Sequence, residues 1–268
     1  MGFLPASLNM ISHIHPIPAF DDNYIWLFAN PAEKSACVVD PGEAAPVEEY
    51  LSRHGLQLTE ILVTHHHADH VGGLARLIER YSPRVTGPES SGIKGISNYV
   101  LEGDSISVFD TAFSVIEVPG HTLDHIAYYS SNNGHPIVFC GDTLFAAGCG
   151  RLFEGTPQMM QQSLAKLTQL DQETALYCAH EYTLANLKFA VAADPNNAQL
   201  NARVTAEQAK RQADQPTLPS SIGLELATNP FLRCNLQSVQ QNVALKTNTT
   251  QAGELETFTQ LRRWKDNF

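Results

Sequence analysis

The stretch at 60–73, EILVTHHHADHVGG, constrains this chain more than any other. Ile61, Leu62 and Val63 form a short apolar run of branched residues, the pattern of a buried strand. It leads directly into His65, His66, His67, Asp69 and His70. Side chains alternate along an extended segment, so His65 and His67 point one way and His66 the other. After Ala68 the pattern turns helical, with Val71, Leu74, Leu77 or Ile78, and Tyr81 on one stripe. Asp69 and His70 then stand where a helix begins, and Gly72-Gly73 lets backbone approach closely around that turn. Imidazoles and a carboxylate gathered at a strand end suit zinc, iron or manganese. A lone histidine would read more simply as part of a solvated loop. Four histidines and an aspartate in one short run point to metal.

The 268 residues suffice for one large domain or two modest ones with a sizeable core. A formal net charge of -11 argues against long-range attraction to nucleic acid or an anionic membrane. An anionic small substrate would need a local basic patch, which makes the few Arg and Lys residues informative. The N-terminal MGFLPASLNMISHIHPIPAF has no basic start followed by an unbroken apolar run, so no secretory signal is expected. No apolar stretch is long enough to span a bilayer. The 5 cysteines (Cys37, Cys140, Cys149, Cys178 and Cys234) are scattered, odd in number and without a C-x-x-C pair. That usage suits reduced thiols in a cytoplasmic protein.

Taken in order, 24–28 and 36–39 read as strands, and 46–54 as a helix stopped by Gly55. Strand patterns recur at 84–86, 105–109, 113–118, 126–130 and 137–140. Thr156-Pro157 starts a helix, with Met160, Leu164 and Leu167 as its apolar stripe. One more strand covers 175–179. Sheets with helices packed outside are the expected arrangement. From Glu181 the alternation stops, and helical patterns cover 182–193, 199–214 and 254–264, with an irregular stretch at 215–235. A domain boundary is expected near 182–183.

Three further residues could complete a metal site. His121, Asp142 and His180 each follow an apolar run directly, where sheet edges deliver side chains into a shared cleft. One alone is weak, since a buried hydrogen-bonded histidine is commoner than a ligand. Three in one context, behind a dense histidine cluster, are stronger. His66 and His125 read as supporting residues. His13, His15, His54 and His135 read as surface or packing residues. Cys140 and Cys178 read as core, and nothing equips Cys149 as a nucleophile.

The run T-H-H-H-A-D-H, then G-H-T, G-D-T and A-H-E, resembles the metallo-β-lactamase superfamily over roughly residues 11–181. Within it, G-D-T-L-F-A-A-G-C-G-R from Gly141, H-E-Y-T-L-A-N-L-K-F-A from His180, N-P-F-L-R from Asn229 and R-R-W-K-D from Arg262 are similar to glyoxalase II enzymes, the hydroxyacylglutathione hydrolases. The resemblance implies an α+β fold: an αββα sandwich over residues 1–182 and a helical substrate-binding domain over 183–268. It assigns His65, His67 and His121 to one divalent metal ion and Asp69, His70 and His180 to a second. Asp142 bridges them, and zinc is the first choice, with iron or manganese as alternatives. It places Arg151, Tyr182, Arg262 and Lys265 against a glutathione moiety. Arg262 and Lys265 are three apart and share a helix face; spacing alone favours a solvated basic helix end, and the family motif reverses that preference.

The activity so implied is hydrolysis of S-(2-hydroxyacyl)glutathione thioesters by a hydroxide bridging the metals, with Asp142 and Asp69 as catalytic residues. S-lactoylglutathione would give D-lactate and glutathione, the chemistry of methylglyoxal detoxification, in a cytoplasmic monomer without nucleic-acid or membrane partners. Position 151 is Arg where related enzymes often have Lys. Position 153 is Phe where some have Tyr, so one hydroxyl contact to substrate is expected to be missing. The competing readings are another hydrolase or thioesterase of the superfamily, a persulfide dioxygenase, or a metal-binding relative without turnover.

Overall fold

Alternating side-chain direction along the N-terminal strands sorts residues onto two faces, each buried in its own core. The computed structural model describes residues 11, 13–89, 92–250 and 253–268; the leader reading rests largely on 1–10 and 12, outside that set. β1 (Ile14–Ala19), β2 (Asn23–Asn30), β3 (Ser35–Val39), β4 (Gln57–Leu62), β5 (Arg84–Pro88) and β6 (Asn98–Val100) form one sheet in that order. The first three are antiparallel and the rest parallel. Three helices follow the strands of this half: α1 (Ala44–His54), α2 (Ala68–Val71) and α3 (Leu74–Tyr81). Ile25, Leu27, Val38, Ile61 and Val85 pack against Val47 and Leu51 of α1 and Leu74 and Leu77 of α3. Their neighbours Trp26, Phe28, Cys37, Val39 and Leu62 belong to a second core, shared with the second sheet. The side-chain period of two is what makes two cores from one sheet.

The second sheet contains β7 (Ser105–Val108), β8 (Thr111–Glu117), β9 (Ile126–Ser130) and β10 (Ile137–Gly141). After the small hairpin of β11 (Leu144–Phe145) and β12 (Gly148–Cys149) comes α4 (Pro157–Leu167), then β13 (Ala175–Cys178) and β14 (Ser220–Ser221). The order is β14-β13-β10-β9-β8-β7. Phe113, Val115, Tyr128 and Phe139 meet the first sheet, with Phe28 stacked on Phe139 at 5.7 Å. Thr156 caps α4 by accepting the Met159 N–H at 3.2 Å, and Met160, Leu164 and Leu167 join the same core. The layers run helix, sheet, sheet, helix, the αββα arrangement expected from the motifs.

The C-terminal part holds α5 (Thr183–Ala193), α6 (Ala198–Gln212), α7 (Ile222–Thr228), α8 (Gln237–Thr247) and α9 (Glu254–Asp266). α9 lies against both α8 and α4, burying Phe258 and Leu261. Trp264 meets Phe189 of α5 edge-on at 5.0 Å. Among the described residues, no helix is long and apolar enough to cross a membrane.

Several elements depart from the pattern reading. The helix expected from Ala68 is broken into α2 and α3, because the Gly73 N–H bonds the Pro41 carbonyl at 2.9 Å. A Cβ on Gly73 would sit 2.5 Å from that carbonyl oxygen, so the close approach requires glycine. The 215–235 stretch, expected to be irregular, contains β14 and α7. β14 pairs with β13, so a segment beyond residue 183 completes the second sheet. β1 carries two prolines, which a sheet tolerates because this strand is at its edge.

Candidate metal centre

The strand ends of both sheets deliver the site. Beyond Leu62 the chain stays extended, and His65 and His67 turn to one side. His67 Nδ1 lies 3.0 Å from His121 Nε2, and the His65 and His121 ring centroids are 5.2 Å apart. Asp69 and His70 come from the single turn of α2. His121 follows β8, Asp142 follows β10 and His180 follows β13. One ligand atom from each of His65, His67 and His121 lies within 4.8 Å of the others, and the same holds for Asp69, His70 and His180. Asp142 stands between the two groups. Its Oδ2 is 3.4 Å from His121 Nε2 and 3.3 Å from His180 Nε2, and its Oδ1 is 3.5 Å from His70 Nε2.

This spacing suits cations. Two donors each about 2.1 Å from a shared ion, roughly at right to tetrahedral angles, lie about 3.0–3.5 Å apart. His65 Nε2, His70 Nε2 and Asp142 Oδ1 are also buried without a hydrogen-bond partner. Buried polar atoms are normally satisfied, and bare ones converging on one place fit a metal ion. Burial holds the His65, His67 and His121 imidazoles below their usual pKa, so they offer lone pairs at neutral pH. Burial opposes charge on His70, but Asp142 and Asp40 outweigh it and raise its pKa. A bound cation would take over that neutralising role.

Residues that the motifs did not single out aim these ligands. His70 Nδ1–H donates to Asp40 Oδ2 at 3.1 Å. Thr64 donates to the same carboxylate through its N–H and its hydroxyl, each at 2.7 Å, and receives His65 Nδ1–H at 3.0 Å. Asp40 thereby orients one histidine of each group. His180 Nδ1–H donates to Asp22 at 2.8 Å, Asn23 donates to Asp69 at 3.1 Å, and His121 Nδ1–H donates to the Arg151 carbonyl at 2.8 Å. With Nδ1 occupied in this way, Nε2 is the ligating atom, the usual logic of metal-site support. His125 accepts the Asp142 N–H at 3.0 Å and stacks on His65 at 4.5 Å. Gly141 has φ 47°, and a Cβ there would come within 2.9 Å of the His125 ring. His15 and His54 lie against Tyr50, away from the site.

The cluster opens into a cleft of about 630 Å³ between the strand ends and the C-terminal helices, lined by Arg151, Phe153, Tyr182, Arg262 and Lys265 among others. Tyr182 stacks on the His180 ring at 4.6 Å, and burial pushes its hydroxyl up to about 12, so it stays a neutral donor. Phe153 is 63% exposed and meets the His67 and His121 rings edge-on. Arg151 is exposed. Arg262 lies deeper than its helix-end position suggests. It is 3% exposed, donates to the Cys149 carbonyl at 2.9 Å and to Asp266, and lies over the Phe231 ring. Lys265 is half-buried, and burial followed by the Arg262 charge lowers its pKa. Leu261 and Trp264 anchor the same helix.

Cys149 lines the cleft, but burial raises its thiol pKa against the opposing pull of Arg262. A protonated thiol is a poor nucleophile. Cys149→Ser is therefore expected to retain most turnover with no covalent acyl group on this position. Mass spectrometry of the protein during turnover checks this, and an acyl adduct on Cys149 would overturn it.

The layered fold and its histidine-carboxylate cluster define a metallo-β-lactamase superfamily protein, and the model of that superfamily matches residues 19–180. Residues 181–268 match the model described as hydroxyacylglutathione hydrolase C-terminus. A Chromohalobacter salexigens protein named hydroxyacylglutathione hydrolase is 51% identical over 254 residues, covering 94% of this chain and 98% of the relative. A Pseudomonas aeruginosa protein of the same name is 49% identical, covering 95% and 99%. The chain belongs to the hydroxyacylglutathione hydrolase family. Among solved structures, ETHE1 from Myxococcus xanthus has the same fold, with TM-score 0.63, 24% identity and coverage of 94% and 99%. A protein crystallised in a di-iron-bound form shares it too, with TM-score 0.58, 24% identity and coverage of 81% and 100%.

Proposed function

We propose that this chain hydrolyses S-(2-hydroxyacyl)glutathione thioesters, with S-lactoylglutathione giving D-lactate and glutathione in the cytoplasmic detoxification of methylglyoxal. The observation that carries this is one cleft joining the metal-suited cluster to a wall built from the family's C-terminal region. The working unit is a monomer, with residues 1–182 catalytic and 183–268 binding substrate. Water adds to the thioester carbon, the C–S bond breaks, and sulfur leaves as the thiolate of glutathione. His65, His67 and His121 would hold one divalent ion, zinc foremost, and Asp69, His70 and His180 the other. Bound cations supply a nucleophile at neutral pH and polarise the carbonyl. Asp142, placed between the two groups, would be a ligand common to both, and Asp69 would help to orient the attacking water.

Arg151 and Lys265 offer charge to the tripeptide's carboxylates, and Tyr182 offers its hydroxyl. Arg262 braces the Cys149 loop and helps to set the cleft's shape, with its edge toward substrate. The extended C-terminal match favours this reading over a β-lactamase or a dioxygenase. Metal-loaded protein should cleave S-lactoylglutathione, and absence of that turnover would sink the assignment. Lys265→Ala is expected to raise KM about 10-fold. A charge-assisted bond contributes about 1.5–3 kcal/mol before screening, and about 1.4 kcal/mol is one decade. A small thioester lacking the tripeptide should be cleaved as before. An unchanged KM for S-lactoylglutathione would remove Lys265 from substrate binding.

A further inference from the structure

We propose that His66, Asp124 and Glu154 form an auxiliary site for a divalent transition-metal ion, apart from the central cluster. His66 faces away from the two histidines beside it. Its Nδ1 lies 2.9 Å from Asp124 Oδ1 and its Nε2 lies 3.3 Å from Glu154 Oε1. One ligand atom from each of the three lies within 4.8 Å of the others. One imidazole nitrogen and two carboxylates are a donor set that zinc, iron or manganese accepts, and the two negative charges match a dication.

The Asp124 carboxylate separates this group from an ordinary ion pair. Its side chain is 6% exposed, and Oδ2 is buried without a hydrogen-bond partner. Pairing each ring nitrogen with one carboxylate, Nδ1 with Asp124 Oδ1 and Nε2 with Glu154 Oε1, uses the whole imidazole. Oδ2 would stay bare, a condition that folded proteins seldom leave standing. A cation can engage it. Glu154 is set for the same task, because its Oε2 accepts the Leu123 N–H at 2.8 Å and leaves Oε1 toward His66. His66 and Glu154 are each 35% exposed, which gives an ion access from solvent.

The three donors come from three different loops. His66 lies between His65 and His67, Asp124 lies three residues past His121, and Glu154 follows Phe153. An ion held there ties together the segments that carry one half of the central cluster and the exposed ring over it. Its role is to brace the cleft wall rather than to act on substrate.

Zinc alone is the probe. The full-length protein, Asp124→Asn and Glu154→Gln are each equilibrated with zinc, desalted and analysed for zinc per chain. We expect the parent to hold about one equivalent more than either variant. That equivalent should be the first removed by a weak chelator, and turnover should survive its removal. Glu154 is partly exposed, so its variant tests the site without disturbing a buried residue. Equal zinc in all three proteins overturns the proposal. So does loss of zinc and turnover together in both variants, which would make these residues supports of the central cluster.

Discussion

An Asp142→Asn protein is expected to fold, and to lose about 10²–10³-fold in kcat on S-lactoylglutathione. The wild-type carboxylate has Oδ2 within 3.4 Å of His121 and 3.3 Å of His180, and Oδ1 facing His70. Asparagine keeps the shape but offers one ligating oxygen and no charge. Its NH2 group would repel a cation, or would occupy by hydrogen bonding an imidazole lone pair that a cation needs. A bound cation contributes several kcal/mol of charge stabilisation, and losing about 3–4 kcal/mol of it gives the stated range. The backbone is held independently, since the Asp142 N–H bonds His125 and the Gly150 N–H bonds the Thr143 carbonyl. Circular dichroism should therefore match wild type. Steady-state kinetics beside metal analysis decide the matter, and wild-type kcat in the variant would mean that no bridging carboxylate is needed. Chelation should abolish turnover as well, with recovery on adding the metal back.

The central residues were legible because their chemistry is rare and their positions repeat. His121, Asp142 and His180 each follow an apolar run, and the structure brings all three to the His65–His70 segment. The residues that aim them were not legible. Asp40 reads as the first residue of a turn, and only the parallel pairing of β3 with β4 places it beside Thr64 and His70. Asp22 and Asn23 lie more than a hundred residues from His180, reaching it through a lone bridge between Asn23 and His180. α8 escaped notice because it buries only Val239 and Val243, too sparse a stripe to show a helical period. By spacing alone Arg262 reads as a solvated helix end, and only the resemblance places it against substrate. Its burial depends on the Cys149 carbonyl arriving from the other half of the chain.

Replacing Glu225 by alanine is expected to lower stability by about 3–5 kcal/mol. The side chain is 0% exposed and pairs with Arg203, itself 2% exposed, at 2.7 Å. Oε1 also accepts from the Ser220 hydroxyl. Oε2 accepts the Ala147 N–H at 2.7 Å and the Asn229 side-chain amide at 3.0 Å. Asn229 in turn holds the carbonyls of Phe145 and Gly148. One carboxylate thus joins α6 and α7 to the hairpin that leads from Asp142 to Arg151. Ala147 sits at φ 57°, a left-handed conformation that a non-glycine residue adopts only when its surroundings hold it. Alanine at 225 would strand the Arg203 guanidinium in the interior and leave the Ala147 N–H unpaired, and both penalties fall on the folded state. At about 2–4 °C per kcal/mol for a chain of this size, the midpoint of thermal unfolding should fall by about 10 °C. Replacing Arg203 by methionine in the same protein should recover part of the loss, because the stranded charge is then gone. Below the new midpoint, turnover should also fall as the hairpin loosens beside Asp142. A midpoint within 2 °C of wild type, with turnover intact, would show that this buried pair neither holds the C-terminal helices nor braces the site.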